Sequence, residues 1–254
     1  MTNLLIPNVL ILGGTTEANA LAKAVSEHGL AATYSYAGRV ENPRPQPLPV
    51  RVGGFGGVQG LVAYIRDNGI SHVIDATHPF ASQMSRNAIE SCRAAQTPLA
   101  ALTRPAWRAQ PGDDWRHVPD IPVAVDALNV EAQRVFLAVG RMHLEEFSAQ
   151  PQHHYLLRLV DAPDELPLPS ADVVVARGPF AEADDRALMQ RHGTQLVVSK
   201  NAGGTGARAK LDAARALGLP VLMIDRPVLP ERTELSTIAQ VLDWLAHSGV
   251  NLGV

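Results

Sequence analysis

The chain has 254 residues, of which 46% are hydrophobic and 19% charged, and its formal net charge is −3. This length and apolar content allow one large or two small hydrophobic cores, which excludes global disorder. The slight acidic excess argues against a nucleic-acid partner, and the single cysteine, Cys92, excludes an internal disulfide and a multi-cysteine metal centre. No apolar run approaches the ~20 residues that span a bilayer, and the first residues do not resemble a signal peptide. A cytoplasmic protein without a membrane partner is therefore expected.

Short apolar runs alternate with segments of helical period along the whole chain. The first such segment has Ala18, Leu21 and Val25 on one face and is followed by Gly29, a typical helix stop. Several apolar runs are continuous, as in parallel strands covered on both faces. The pattern predicts an α/β fold with parallel sheets. The predicted strands are residues 9–12, 31–36, 72–75, 99–102, 135–139, 155–160, 173–176, 196–199 and 221–224, with 115–118 as a further candidate.

So many strands in 254 residues predict two small sheets, and we place the boundary between two domains near residue 132. Residues 78–81 and 178–181 share Pro-Phe-Ala, each after a predicted strand, which is a weak sign of duplication. Two helix starts are also predicted. Thr77 or His78 would cap a helix containing Phe80, and Thr233 would cap the last helix, which would include Leu235.

A glycine-rich turn follows the first predicted strand, with the sequence Gly13-Gly14-Thr15-Thr16-Glu17. Two glycines allow a tight turn, and the N-terminus of the next helix offers free N–H groups to a phosphate. The alternative is an ordinary strand-to-helix turn, because the third glycine of the usual dinucleotide fingerprint is absent.

The second predicted strand ends in Gly38-Arg39, where NAD-binding proteins usually carry an Asp or Glu. A guanidinium binds a 2′-phosphate that a carboxylate would repel. This position therefore favours NADPH over NADH. The alternative is that Arg39 is a solvated loop residue.

Two further segments have candidate ligand-binding residues. Four glycines surround Phe55 in residues 53–57, including Gly54 and Gly56, and they expose backbone to a ligand or to another loop. Thr77 and His78 come directly after the strand at 72–75, at the sheet edge where α/β proteins bind ligands. Helix capping alone is the alternative explanation for this second segment.

Cations follow three predicted strands in the second half of the chain. Arg141, Arg177 and Lys200 would meet at one sheet edge, where they would suit a carboxylate-rich or phosphorylated ligand. The alternative is a set of solvated loop charges. The adjacent pair His153-His154 would point to opposite faces of a strand, and we expect no metal site.

Taken in order, the segments 11–18, 37–39, 53–57, 75–81, 177–180 and 200–204 closely resemble precorrin-6A reductase, a family of corrin (vitamin B12) biosynthesis. The resemblance extends from about residue 9 to residue 245. It implies NADPH-dependent reduction of a ring double bond of precorrin-6A to give precorrin-6B. It also implies two Rossmann-like domains with the active site in a cleft between them. Other enzymes of cobalamin biosynthesis are the candidate protein partners.

Under this resemblance, residues 1–132 form the NADPH-binding domain and residues 133–254 a substrate or cofactor domain. His78 and Lys200 are the candidate catalytic residues, with water as an equally suitable proton donor. Precorrins carry many carboxylates and require several cationic anchors. The candidate anchors are Arg104, Arg108, Arg141, Arg177, Lys200 and Arg208. The candidate cofactor-binding residues are Gly13, Gly14, Thr15, Thr16, Glu17, Gly38, Arg39, Gly54, Phe55, Gly56, Thr77 and Asn201.

Two alternative functions are compatible with a pair of such domains. A nucleotide-sugar transferase would use similar glycine loops and would show no response to NADPH. A non-catalytic NADPH-sensing protein would bind the cofactor without transferring a hydride. The residues are equally compatible with a cobalt-free and a cobalt-containing precorrin.

Overall fold

The computed structural model describes residues 7–38, 44–161 and 165–248. It divides the chain into two compact units. The first unit comprises Met1–Arg104 with Val228–Val254, and the second comprises Pro105–Pro227. Across the described residues, the helices are all too short or too polar to cross a bilayer.

All twelve strands of the described residues lie in two sheets, and every pairing within them is parallel. The strands are β1 (Asn8–Leu12), β2 (Ala31–Tyr36), β3 (Val50–Val52), β4 (His72–Asp75), β5 (Leu99–Leu102), β6 (Trp115–Val118), β7 (Arg134–Ala138), β8 (His154–Leu159), β9 (Ala171–Val175), β10 (Leu196–Lys200), β11 (Val221–Ile224) and β12 (Thr233–Leu235). The helices are α1 (Thr16–Glu27), α2 (Gly57–Asp67), α3 (Ser82–Ala95), α4 (Ile121–Ala127), α5 (Glu182–His192), α6 (Ala209–Leu217) and α7 (Ile238–His247).

The first sheet has the order β12-β5-β4-β1-β2-β3 and is covered on both faces. Val9 and Ile11 of β1 pack in one apolar cluster with residues of α1 and α7. Leu10 and Leu12 pack in the other cluster, with residues of α2 and α3. Because side chains alternate along a strand, this double covering explains why β1 is apolar at successive positions.

The second sheet has the order β6-β11-β10-β7-β8-β9. Its main core joins Phe136 of β7 and Val197 of β10 to Leu211 of α6 and Met189 of α5. The prediction of an α/β fold with two parallel sheets is confirmed.

The two units divide the chain at points that differ from the predicted boundary near residue 132. β6 and α4 precede residue 132 but belong to the second unit, because Trp115 pairs with Val221 at the edge of the second sheet. β12 and α7 return to the first unit, because Thr233 pairs with Ala100. Both pairings join residues more than 100 positions apart, and no local pattern contains that information.

Both predicted helix starts are wrong. Thr233 and Leu235 lie in β12, and Thr237 caps α7 in a capping box with Gln240. The helix after β4 begins at Ser82, three or four residues later than predicted. The short strands β3 and β12 were also absent from the prediction, since three residues are too few to show a period.

Candidate functional site

The glycine turn after β1 requires glycine at both positions. The Gly13 N–H donates to the Ser35 carbonyl over 2.9 Å, and a Cβ on Gly13 would lie 2.1 Å from a ring carbon of Tyr34. Gly14 has a φ of +115°, which favours glycine, and its N–H donates to the Tyr34 hydroxyl over 2.9 Å. The side chain of Tyr34 therefore packs against this turn, leaving no space for a side chain at Gly13 and binding the Gly14 N–H.

The next residues begin α1 and tie it to β4. The Thr15 hydroxyl accepts from the Ala18 N–H over 3.0 Å and donates to the Ala76 carbonyl over 2.8 Å. Glu17 lies in the first turn and accepts from Arg104 Nη1 over 2.6 Å. Arg104 thus lies beside the N-terminus of α1, in the first unit, with its charge balanced by Glu17.

The ends of β2 and β3 approach each other closely. Gly38 has a φ of +76°, and a Cβ there would lie 3.4 Å from the Gly53 Cα. Arg39, the predicted 2′-phosphate ligand, lies outside the described residues.

Arg51 organises the glycine loop of residues 53–57, and the sequence analysis missed it. Its guanidinium donates to the Ser35 hydroxyl over 3.0 Å and to the carbonyls of Gly53 and Gly54 over 2.8 and 2.9 Å. It also lies 3.8 Å from the ring centroid of Phe55. The available sequence signal was a cation on an apolar strand directly before a glycine run.

Asp75 is a second residue that the sequence analysis did not select. Its buried carboxylate accepts from the Thr77 hydroxyl over 2.6 Å, from the Ser85 hydroxyl over 2.6 Å and from Arg232 Nη1 over 2.6 Å. Thr77 is therefore held by Asp75 instead of capping a helix. His78 Nδ1 accepts from the backbone N–H of Phe80 over 3.2 Å, which leaves the proton of a neutral ring on Nε2.

The carboxyl edge of the first sheet brings most of the cofactor candidates together. The strand order β3-β2-β1-β4 makes neighbours of the segments at Gly54–Gly56, Gly38, Gly13–Glu17 and Thr77. This is the edge at which open parallel sheets bind ligands.

Asn201 is the described cofactor candidate that lies in the second unit. Its side chain accepts from the Trp107 N–H over 2.7 Å and donates to the Trp107 carbonyl over 3.1 Å. The neighbouring Gly203 allows Pro105 to approach, since a Cβ there would lie 2.2 Å from the Pro105 carbonyl oxygen. These contacts hold the segment around Trp107 against the end of β10.

The cations at the carboxyl edge of the second sheet differ in their partners. Arg177 donates to Asp161 over 2.9 Å, and Arg208 to Asp212 over 3.2 Å. Arg108 and Arg141 are exposed and, among the described residues, have no carboxylate within ion-pair distance.

Lys200 is half-buried near Glu146, which accepts from His143 Nδ1 over 3.0 Å. Burial alone would raise the pKa of Glu146, but the His143 hydrogen bond and the charge of Lys200 hold it below its usual value. The carboxylate of Glu146 is therefore ionised at neutral pH, beside the predicted catalytic lysine.

Comparison with known proteins identifies relatives over nearly the whole chain. A family model described as precorrin-6x reductase CbiJ/CobK matches residues 8–246. The precorrin-6A reductase of Rhodobacter capsulatus is 57% identical over 242 residues, which cover 95% of this chain and 96% of the relative. The cobalt-precorrin-6A reductase of Priestia megaterium is 28% identical over 253 residues, covering 94% and 98%.

A solved structure of CobK precorrin-6A reductase superposes with a TM-score of 0.90 at 56% identity. The match covers 94% of this chain and 96% of the solved one. The fold, the order of the glycine segments and these matches agree, and the chain belongs to the precorrin-6x reductase family.

Proposed function

We propose that this chain reduces a ring double bond of precorrin-6A to give precorrin-6B in cobalamin biosynthesis, with NADPH as the reductant. The observation that carries the proposal is the 57% identity to a precorrin-6A reductase over 95% of the chain. The carboxyl edge of the first sheet supports it independently, because its glycine turns suit a dinucleotide. A transferase and a non-catalytic sensor have no comparable support.

The first sheet offers a surface that fits NADPH. Gly14 and Gly56 both have positive φ, and a Cβ on either would meet no atom within 4 Å. The backbone of these two turns is therefore accessible to a ligand. The N-terminus of α1 adds N–H groups and a partial positive charge suited to a phosphate. NADPH supplies the hydride when bound. Residues 13–17, Gly38, residues 54–56 and Thr77 would hold it.

Arg39 is the proposed ligand of the 2′-phosphate of NADPH. It follows β2 in the position where a carboxylate would otherwise bind the ribose hydroxyls of NADH. Arg51 adds a second positive charge to this region through its bond to Ser35, at the end of the same strand. Two cations near this strand end favour the phosphorylated cofactor.

The proposed substrate anchors are Arg104, Arg108, Arg141, Arg177, Lys200 and Arg208, each of which can bind a carboxylate of the tetrapyrrole.

We propose the cobalt-free precorrin as the natural substrate. The relative named precorrin-6A reductase is twice as similar to this chain as the one named cobalt-precorrin-6A reductase, at 57% against 28% identity.

The proton required by the reduction has two proposed sources. His78 is the first, and it would act as an acid in its imidazolium form, since the N–H of a neutral imidazole is too weak an acid at neutral pH. Water is the second source. Lys200, beside ionised Glu146, is proposed to place the substrate and to stabilise negative charge that develops on it.

Incubation of the purified protein with precorrin-6A and NADPH tests the activity. We expect a change in the tetrapyrrole spectrum with oxidation of one NADPH per substrate, and slower turnover with cobalt-precorrin-6A. NADPH binding without oxidation would support the sensor alternative. Binding of a nucleotide sugar with no response to NADPH would support the transferase.

The cofactor assignment is tested by Arg39→Ala. Loss of a charge-assisted contact costs about 1.5–3 kcal/mol, so NADPH affinity should fall by roughly 10–150-fold while NADH affinity stays constant. Arg44→Ala is the matched control, because Arg44 is an exposed arginine of the same connection. Calorimetric titration of both cofactors measures these affinities. Equal NADPH affinity in Arg39→Ala and wild type would show that Arg39 does not bind the 2′-phosphate.

A further inference from the structure

Three potential metal ligands cluster in the second unit, away from the predicted site residues. His154 begins β8, Asp172 lies near the start of β9, and His192 ends α5. One ligand atom from each lies within 4.8 Å of the others. His154 Nε2 and Asp172 Oδ2 are already 2.9 Å apart. The cluster lies at the amino ends of the strands, whereas Arg141 and Lys200 lie at the carboxyl ends.

Hydroxyl groups fix the orientation of both imidazole rings. His154 Nδ1 bonds to the Ser170 hydroxyl over 2.6 Å, and His192 Nδ1 bonds to the Thr194 hydroxyl over 3.0 Å. Hydrogen bonds of this kind to the non-ligating nitrogen orient histidines at metal sites. They leave Nε2 of each ring as the nitrogen that can bind a cation.

Among the described residues, His192 Nε2 is a buried atom with no hydrogen-bond partner. The residue is only 5% exposed, and Nε2 has no hydrogen-bond partner within the described part of the chain. A buried polar atom left unpaired is costly and uncommon in folded proteins. The free lone pair beside His154 and Asp172 is the feature that a bound cation would explain.

We propose that His154, Asp172 and His192 form a binding site for one divalent transition-metal ion of the zinc type. Two imidazole nitrogens and one carboxylate oxygen are a donor set that Zn²⁺ accepts, with its remaining position open to water. The ion would link β8, β9 and the end of α5. Its role would therefore be to stabilise this side of the second unit.

The charged groups around the cluster act in opposite directions. The carboxylate of Asp172 lies 2.9 Å from His154 Nε2, and a cation would replace the proton shared by these two atoms. Arg134 donates to the His192 carbonyl, and its positive charge opposes a bound cation and limits the affinity.

Titration of Zn²⁺ into tag-free, chelator-treated protein by calorimetry tests the site. We expect one equivalent to bind to the wild type and the melting temperature to rise with Zn²⁺. Asp172→Asn and His154→Asn should each weaken binding by about tenfold or more, since each removes or neutralises a ligand. Mg²⁺ should not compete, because it prefers an all-oxygen set.

The control is His117→Asn. His117 forms a similar pair with Asp225 at 2.7 Å but belongs to no three-residue cluster among the described residues. This variant should bind Zn²⁺ as the wild type does. Absence of stoichiometric binding, or equal affinity in the Asp172 and His154 variants, would overturn the proposal. Both of these side chains reach solvent, so the test does not depend on replacing buried His192.

Discussion

The arginines at the carboxyl edge of the second sheet differ in how much charge they can offer a ligand. Arg177 already shares its charge with Asp161. Arg141 is exposed and has no carboxylate partner among the described residues. An unbalanced guanidinium attracts an anionic ligand more strongly than a paired one. Arg141 is therefore the stronger candidate anchor.

This difference predicts unequal effects of two substitutions. Arg141→Ala should raise the KM for precorrin-6A by roughly 10–150-fold, because it removes a charge-assisted contact of about 1.5–3 kcal/mol. Arg177→Ala should raise it less, since Asp161 already balances that charge. Steady-state kinetics at saturating NADPH measure both.

Arg191→Ala is the control for these variants, because Arg191 is exposed near the end of α5, at the opposite edge of the sheet. Its KM should match the wild type. An Arg141→Ala enzyme with wild-type KM would show that this arginine does not contact the substrate.

At the scale of elements, the two sheets share one layout. β7, β8, β9, β10 and β11 occupy the positions that β1 to β5 occupy in the first sheet, and β6 takes the edge position of β12. The loop at Arg177 follows β9 and thus corresponds to the glycine loop after β3. The Pro-Phe-Ala similarity instead relates it to the loop after β4. The two sheets therefore correspond in their strand order, but the Pro-Phe-Ala similarity does not relate corresponding loops.

The Trp107 segment illustrates how one side chain fixes a whole connection. Asn201 pairs with both backbone groups of Trp107, and Trp107 Nε1 donates to the Gly204 carbonyl over 2.6 Å. These hydrogen bonds anchor the connection between β5 and β6, whose twelve residues (103–114) form no helix or strand. Asn201 is a positioning residue in the second unit.

Asn201→Ala should lower the free energy of unfolding by about 1–3 kcal/mol, because it leaves buried backbone groups of Trp107 unpaired. Thermal unfolding measures the loss. Asn129→Ala is the control, since Asn129 is exposed in the same unit, and it should change stability by less than about 0.5 kcal/mol. If the two variants are equally stable, the Trp107 segment does not depend on this contact.

At the scale of the whole molecule, each unit has its own apolar core. Leu245 of α7 is completely buried in the cluster that contains Val9 and Val25. Leu211 of α6 is completely buried in the cluster that contains Phe136 and Val197. The last helix is thus part of the first core although it follows the entire second unit in the chain.

Separate cores predict separate losses of stability. Leu245→Ala and Leu211→Ala should each cost about 2–5 kcal/mol, because each leaves a cavity in its own core. Hydrogen exchange should show faster opening of β1 and α1 in the first variant, and of β7 and β10 in the second. Equal loss of protection in both units with either variant would contradict two separate cores.

The sequence by itself determined the fold class and the position of most strands. Buried parallel strands are nearly or wholly apolar, as in Val9–Leu12 of β1 and in all of β11, and this signal can be read from the local sequence without knowledge of the fold. The ordered glycine segments also sufficed to recognise the reductase family, although the segment at residues 53–57 follows a strand, β3, that was not predicted.

Only the tertiary structure decided which unit the edge strands join and which polar groups meet. Asp75 and Arg232 form a buried ion pair across 157 positions of the chain, and His154 meets His192 through the packing of α5 on β8. Such contacts depend on strand order and helix packing, which are set by the burial of distant apolar surfaces. A local pattern shows that a residue is polar, but its partner is chosen by the fold.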